Sequence, residues 1–492
     1  MFRWFLGLLV VTLAAVGGTV AWRTSQFKPV PMAQAASATG APELNVDTEA
    51  AAARLGQAIR FQTISVQEGQ PWNAAPFTAQ RAWLETAYPA FHAAAAREIV
   101  NDESLLFTWA GSDASLAPIL LLAHLDVVPV EEWSRKDWTS EPFSGAVREG
   151  YVWGRGAIDD KGSLIAILEA ANALAASGFK PKRTLIFAFG HDEEVSGADG
   201  AQAMAKILAD RGVKAWFALD EGQATIATHP LTGGPVSLIG IAEKGYATLR
   251  VTATARAGHS SMPDKDTAVT LLSEAILRIH RMPIEMKLEG GPAIEMIRAL
   301  GPQLPMTLRA AAANEWLFSP VINQQMGDDP QAAALIRTTV APTMLEGGPK
   351  ENIIPGRAMA WINFRLHPRD TSASILSRAQ AAVKGIPNIT VEWERPPNEA
   401  SAVSSTTSDS YALLSGMARI VAPDAPVAPG LVVGGTDSRY YGGVAENVYR
   451  YAPAIYTGED IAGIHGKNER LSVDNLARMI KGYGHVMTAG AG

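Results

Sequence analysis

The 492-residue chain contains no cysteine. That absence excludes disulfides, thiol nucleophiles and cysteine-ligated zinc, so any metal must be held by histidine and carboxylate. Basic charge is also short. Lys and Arg number 42 against 49 Asp and Glu, a formal net charge of -7, which supplies no basic face for phosphate and sets nucleic acid aside as a partner. No internal repeat is present. What the chain does have is a core: 47% hydrophobic and 18% charged residues describe a folded globular protein, and the length suggests roughly two to three domains.

The N-terminus, MFRWFLGLLVVTLAAVGGTVAWRTSQF, carries an uncharged run from Trp4 to Trp22 between Arg3 and Arg23. Such a run is about long enough to cross a bilayer as a helix. A cleaved secretory signal is the alternative, with Ala33, Gln34 and Ala35 as a small-residue site. That site lies well beyond the apolar run, which favours an uncleaved anchor in 1–28, with the rest exported to a periplasmic or extracellular space. Residues 29–47, rich in Ala, Pro and Ser, read as a linker.

Beyond the linker, Thr48 to Arg60 and Thr78 to Arg97 are alanine-rich and helical in pattern. Apolar runs such as PILLLAH, RTLIFAFG and AWFALD read as buried strands alternating with helices at Gly162 to Ser177 and Gly200 to Arg211. This predicts an α/β fold, a mostly parallel sheet covered by helices on both faces, with ligands bound beyond the carboxyl ends of the strands. At Tyr246 the pattern changes. YATLRVTATA alternates as a half-exposed antiparallel strand does, and a smaller α+β unit, 246–396, is expected to interrupt a catalytic domain of 48–245 and 397–492. The stretch 290–345 reads as an irregular extra segment of that unit.

Four motifs hold the chemistry: LLLAHLDVVP, GRGAIDDKG, HDEEVSG and ALDEG. His124 and Asp126 alternate out of a strand to the same side, and a carboxylate beside a ligating imidazole fixes its tautomer. Asp159 and Asp160 lie between glycines before a helix. Glu193, Glu194 and Asp220 close further strands. Taken singly, these are a capped strand or an N-capped helix as readily as ligands; together they set one His and several acids at successive strand ends. A second imidazole, His465 of GIHGKNER, comes late in the chain. Two His and at least three carboxylates suit two divalent ions sharing a bridging carboxylate, with zinc the first choice and cobalt or manganese as substitutes.

These motifs, with AGHSS, ENIIPG and GGTDSR, resemble the di-zinc metallopeptidase and amidohydrolase family of aminoacylase, carboxypeptidase S, succinyl-diaminopimelate desuccinylase and glutamate carboxypeptidase. They follow the family's order from about residue 48 to the end, and ALDEG, EKGY and TDSR look most like the carboxypeptidase S and N-fatty-acyl amino acid hydrolase branch. The resemblance implies metal ligation by His124, Asp159 as bridge, Glu194, Asp220 and His465, with Glu221 the alternative to Asp220. It implies that Asp126 braces His124. Glu193 matches the general base, which takes a proton from the attacking water and returns it to the leaving nitrogen. The inserted unit matches a lid that forms a homodimer, with His259 reaching the neighbour's site to stabilise the oxyanion. Asn352 and Arg365 would hold the substrate carboxylate or oxyanion. Arg439 is a further carboxylate clamp, or else a loop ion pair with Asp437.

The expected activity is hydrolysis of the amide of an N-acyl amino acid or of a short peptide with a free C-terminal carboxylate. A co-catalytic zinc aminopeptidase is one alternative, and a catalytically inactive binding or scaffold domain is another.

Overall fold

The computed structural model describes residues 2–27, 44–66 and 69–492. Its centre is a ten-stranded sheet in the order Ala96–Val100, Ser104–Trp109, Leu185–Gly190, Ile119–His124, Ala215–Asp220, Ala445–Arg450, Val236–Glu243, Thr225–Ile226 and Ile455–Tyr456, with Val427–Val432 also paired to Val236–Glu243. The strands from Leu185–Gly190 to Ala445–Arg450 run parallel. ILLLAH and LIFAFG are buried at every position, as strands covered on both faces must be. Successive side chains divide between the two faces. Ile119, Leu121 and Ala123 join a core with the helices Thr48–Arg60, Lys161–Ala176 and Val473–Ala491, whereas Leu120 and Leu122 pack with the helix Ala201–Asp210. This is the expected α/β architecture, a large and mostly parallel sheet between helices.

A separate four-stranded antiparallel sheet, ordered Thr339–Glu346, Arg357–Leu366, Gly245–Thr254 and Ile389–Trp393, has its own core under the helices Ala268–His280 and Ser372–Ala382. In Gly245–Thr254, Ala247, Leu249, Val251 and Ala253 are buried and the residues between them are more exposed. Tyr246 and Asn398 exchange backbone hydrogen bonds of 2.9 Å in both directions, so the outgoing and returning chains lie side by side.

Two expectations differ from the structure. The stretch Thr78 to Arg97 is not one helix: Ala75–Ala87 ends before Pro89, Pro89–Ala94 forms a short helix, and Ala96–Val100 is a strand. A proline cannot donate into the preceding turn and disfavours helix at the residue before it. The segment 290–345 is not irregular either. It folds as helices Pro292–Leu300, Met306–Ala313, Glu315–Asp328 and Pro330–Ile336, followed by the edge strand Thr339–Glu346. Prolines cut its periodicity into short pieces, and two of them open helices, where the missing N–H costs nothing.

At the N-terminus Phe2–Ser25 is a single helix, long and apolar enough by composition to cross a membrane. Most of the expected linker, and Ala33 to Ala35 with it, lies outside the described residues.

Candidate active site

Parallel pairing of three neighbouring strands gathers the acids. His124 is in register with Gly190, and Leu121 with Leu219, so His124, the 191–194 segment and the 220–221 pair emerge on one edge of the sheet. Each motif follows an apolar strand that the core fixes in place.

At that edge Asp159 lies between two imidazoles. His124 Nε2 is 2.9 Å from one of its oxygens and His465 Nε2 is 3.0 Å from the other. His465 Nε2 is also 3.1 Å from Glu194. Burial alone would raise the Asp159 carboxyl, but hydrogen bonds from the two rings hold it below its ordinary value. The same contacts, from Asp159 first and then Glu194, lift His465 to about 10.

Asp220 and Glu221, the two alternatives for one ligand position, face different neighbours. Asp220 is buried and turns away, accepting the backbone N–H of Ser438 at 2.7 Å. Glu221 instead approaches His124 Nε2 at 3.8 Å and shares a cluster with His124 and Glu193. Glu193 therefore lies beside the histidine and acid group, with Arg439 Nη2 3.8 Å from its carboxylate. Arg439 forms no ion pair with Asp437 among the described residues. Burial pushes Glu193, Glu221 and Asp437 well above the ordinary carboxylate range.

Around these side chains stand others that the sequence reading did not assign. Asp192 accepts the backbone N–H groups of Asp199 at 2.8 Å and Gly200 at 2.9 Å, tying its loop to the start of the helix Ala201–Asp210. His191 turns to Ser104, at 2.7 Å. Glu469 joins the loops of Asp159 and His465: its carboxylate accepts the N–H groups of Gly156, Ile158 and Asp159 and pairs with Arg155 at 2.7 Å, while Arg155 also donates to the Gly466 carbonyl. Lys161, fully buried, donates to the carbonyls of Ala58 and Phe61. Glu243 holds the GGTDSR loop by accepting from Thr436, Ser438 and Arg450. The clue to Glu469 was its place in GIHGKNER; nothing local distinguishes it from a surface acid.

The residues assigned to the lid lie apart from this cluster. His259 is exposed on a two-residue strand paired with Ile353–Ile354, its Nδ1 2.8 Å from Ser261 Oγ. Asn352, also exposed, accepts the N–H of Ser260 through its carbonyl. Arg365 stacks over Tyr246 at 4.6 Å and pairs with no acid among the described residues. Burial lowers its pKa, opposed by Tyr246, and the field of Arg439 adds a smaller lowering.

The donor set fits divalent ions. Two groups, His124 with Glu193 and Glu221, and His124 with Asp159 and Glu194, each bring ligand atoms within 4.8 Å of one another. Glu194 Oε1 is buried with no partner. Carboxylates crowded at this burial repel one another unless protons or cations neutralise them, and His with carboxylate oxygen is a donor set for zinc or manganese.

Comparison with known proteins gives the same direction. The profile of peptidase family M20/M25/M40 matches residues 120–489. A probable carboxypeptidase S-like protein 2 of Dictyostelium discoideum is 35% identical over 89% of this chain and 84% of its own. The mouse N-fatty-acyl-amino acid synthase/hydrolase PM20D1 is 36% identical over 87% of this chain and 85% of its own. Among solved structures, an M20 family metallo-carboxypeptidase from Sulfolobus solfataricus superposes with a TM-score of 0.64 at 18% identity, covering 89% of this chain and 98% of that one.

Proposed function

Because the chain belongs to peptidase family M20/M25/M40, a family of hydrolases, we propose that it is a two-metal amide hydrolase acting on N-acyl amino acids or short peptides with a free C-terminal carboxylate. The observation that carries this reading is Asp159 set between the Nε2 atoms of His124 and His465, at 2.9 and 3.0 Å. A carboxylate with one oxygen toward each of two imidazoles suits a bridge. In this assignment His124, Asp159 and Glu221 would hold one zinc ion and His465, Asp159 and Glu194 the other, with Glu221 in the position first given to Asp220. Bound zinc would polarise the scissile carbonyl and ease ionisation of the attacking water.

The chain's own residues do the rest. Glu193 stands beside the cluster without contacting His465, the position of a base that takes the water's proton and delivers it to the leaving nitrogen. Its burial keeps its proton affinity high, and His124 and, more weakly, Arg439 limit that rise. Arg365 and Arg439 receive the substrate carboxylate, a task for which a guanidinium fork is suited. An aminopeptidase would need an acid for the free amine where these two cations stand, and an inactive scaffold would be marked by the loss of a ligand or base position, all of which are filled. We assign 246–396 as a lid and dimerisation unit whose exposed His259, with Asn352, serves the oxyanion of the partner's site. The helix Phe2–Ser25 acts as signal anchor, with the hydrolase exported.

The test is a panel of acetyl, long-chain acyl and aminoacyl groups on several amino acids, each with free and amidated carboxylate, together with metal analysis of the purified protein. The expected result is cleavage of the free-carboxylate members and about two metal ions per chain. Cleavage restricted to substrates with a free amine, or protein that is active without divalent metal, rejects the reading.

A further inference from the structure

From Pro302 to Gln325 the chain has only two charged residues, Arg309 and Glu315. Arg309 is half-buried and Glu315 is buried. Arg309 donates to the carbonyls of Gly301 and Pro302, and buried Glu315 pairs with Arg298 at 3.2 Å. The outer surface of the helices Met306–Ala313 and Glu315–Asp328 is thereby left apolar over much of its length: Met306 is 66% exposed, Trp316 51% and Val321 53%, with Leu308 and Leu317 beside them. Large apolar side chains exposed together on two consecutive helices mark an interaction site rather than single scattered residues.

The same segment packs against the N-terminal helix. Asn314 Nδ2 donates to the Val20 carbonyl and to Thr24 Oγ1, each at 3.3 Å, and the Phe27 ring lies against Gly301. Val16, Val20, Thr24 and Phe27, spaced by three or four residues, are the partly buried positions of an otherwise exposed helix. The packed length from Val16 to Thr24 corresponds to about 12 Å of helix. When the helix spans a bilayer with its C-terminal end on the exported side, this length falls within that leaflet, and the segment packed against it must sit in the same leaflet. Trp22 at the helix end and Trp316 on the segment are side chains suited to the headgroup level.

We propose that the face formed by Met306, Leu308, Trp316, Leu317 and Val321 docks into the exported leaflet of the bilayer that holds the Phe2–Ser25 helix, so that the enzyme is seated on the membrane rather than tethered above it. The binding is apolar. With no exposed basic residue between Pro302 and Gln325, attraction to anionic lipid contributes little, unlike the basic helices that adsorb electrostatically. The inference is independent of the hydrolytic reaction and stands or falls without it.

The absence of cysteine makes the test direct. Leu317→Cys, Val321→Cys and, as control, Ile99→Cys are introduced singly into the full chain. Ile99 is exposed on the opposite edge strand of the central sheet. Each variant is labelled with an environment-sensitive fluorophore and reconstituted in phosphatidylcholine vesicles with or without nitroxide-labelled lipid. Labels at 317 and 321 are expected to shift to the blue and lose most of their emission to the nitroxide, with no change on adding anionic lipid or salt, while the label at 99 does neither. Emission at 317 and 321 that matches the control overturns the proposal. So does a blue shift that persists in detergent, depends on protein concentration and is insensitive to nitroxide lipid, which would assign the face to a second copy of the chain.

Discussion

Asp126 and Glu194 are joined through the backbone: the buried Asp126 carboxylate accepts the Glu194 N–H at 3.1 Å on one oxygen and the Glu193 N–H at 3.2 Å on the other. The second of these oxygens also lies 3.2 Å from His124 Nδ1. One side chain thus positions the imidazole and both neighbouring acids. Replacing Asp126 by Ala strands two N–H groups and leaves His124 Nδ1 only the backbone carbonyl of residue 126, at 3.1 Å, so metal affinity or activity should fall about 10- to 100-fold, the usual cost of losing a ligand's support. Metal titration and steady-state kinetics on the same preparation check it. An Ala variant with wild-type values on both counts would remove Asp126 from the assembly.

Glu193 and Glu194 are adjacent, yet they face different neighbours, Arg439 and His465. Glu193→Gln keeps the shape and loses the basicity. It should lower kcat by about 10²- to 10⁴-fold with metal content unchanged. A variant that hydrolyses every substrate at near-normal rates is incompatible with Glu193 as the base.

The Asp220 and Glu221 pair separates in the same way. Glu221→Gln removes a donor beside His124 and should lower the metal stoichiometry. Asp220→Asn weakens the hydrogen bond from the Ser438 N–H and should cost about 1–3 kcal/mol of stability for a buried polar group left badly paired, seen as a lower melting temperature, with metal binding retained. Metal analysis and thermal melts on both variants distinguish the roles, and the reverse pattern restores Asp220 as ligand.

The strands that end in His124, Gly190 and Asp220 were legible because each is an apolar run followed by acids, and the parallel sheet could be inferred from the helices between them. The different directions of Asp220 and Glu221 were not, since Asp220 is turned by Ser438, 218 positions away in the chain. Glu469 escaped notice for a similar reason: its partners, Arg155 and the 156–159 backbone, are distant in sequence. Asp192 lacked an explanation because its hydrogen bonds follow from a turn that charge patterning does not reveal. The helices of 290–345 were hidden by prolines at their boundaries and, in Pro320, within one of them.

A metal bound among these side chains would compete with protons. In the metal-free chain His465 is raised to about 10, above its ordinary value of about 6.5. Between those values the folded state binds more protons than the unfolded state, so this contribution is full below about 6.5 and is lost as pH rises through about 10. Glu193 and Glu221, also raised, act in the same sense from lower pH, since the unfolded carboxyls ionise first. Lys161, lowered to about 7 by burial, opposes them by gaining stability as pH rises above that value. Melting curves of chelator-treated protein should therefore fall from about pH 5 to about pH 9, whereas zinc stabilisation should grow over the same range with measurable proton release. A zinc effect independent of pH would contradict the assignment of these groups as ligands.

Arg365 offers the sharpest test of substrate class. It pairs with no acid among the described residues, stacks on Tyr246 at 4.6 Å, and lies within the electrostatic reach of Arg439. Two partly desolvated cations in electrostatic reach of each other repel, and an anion bound near both would relieve that repulsion. Loss of a charge-assisted hydrogen bond costs about 1.5–3 kcal/mol, so Arg365→Ala should raise KM for free-carboxylate substrates roughly ten- to a hundredfold. Their amidated counterparts, slow at the outset, should change little. Arg365→Lys should recover part of the loss, because it restores the charge but not the fork. The comparison requires kcat and KM for matched acid and amide substrates: an equal loss on both would show that Arg365 supports the fold of its strand, and no loss on either would move carboxylate recognition elsewhere.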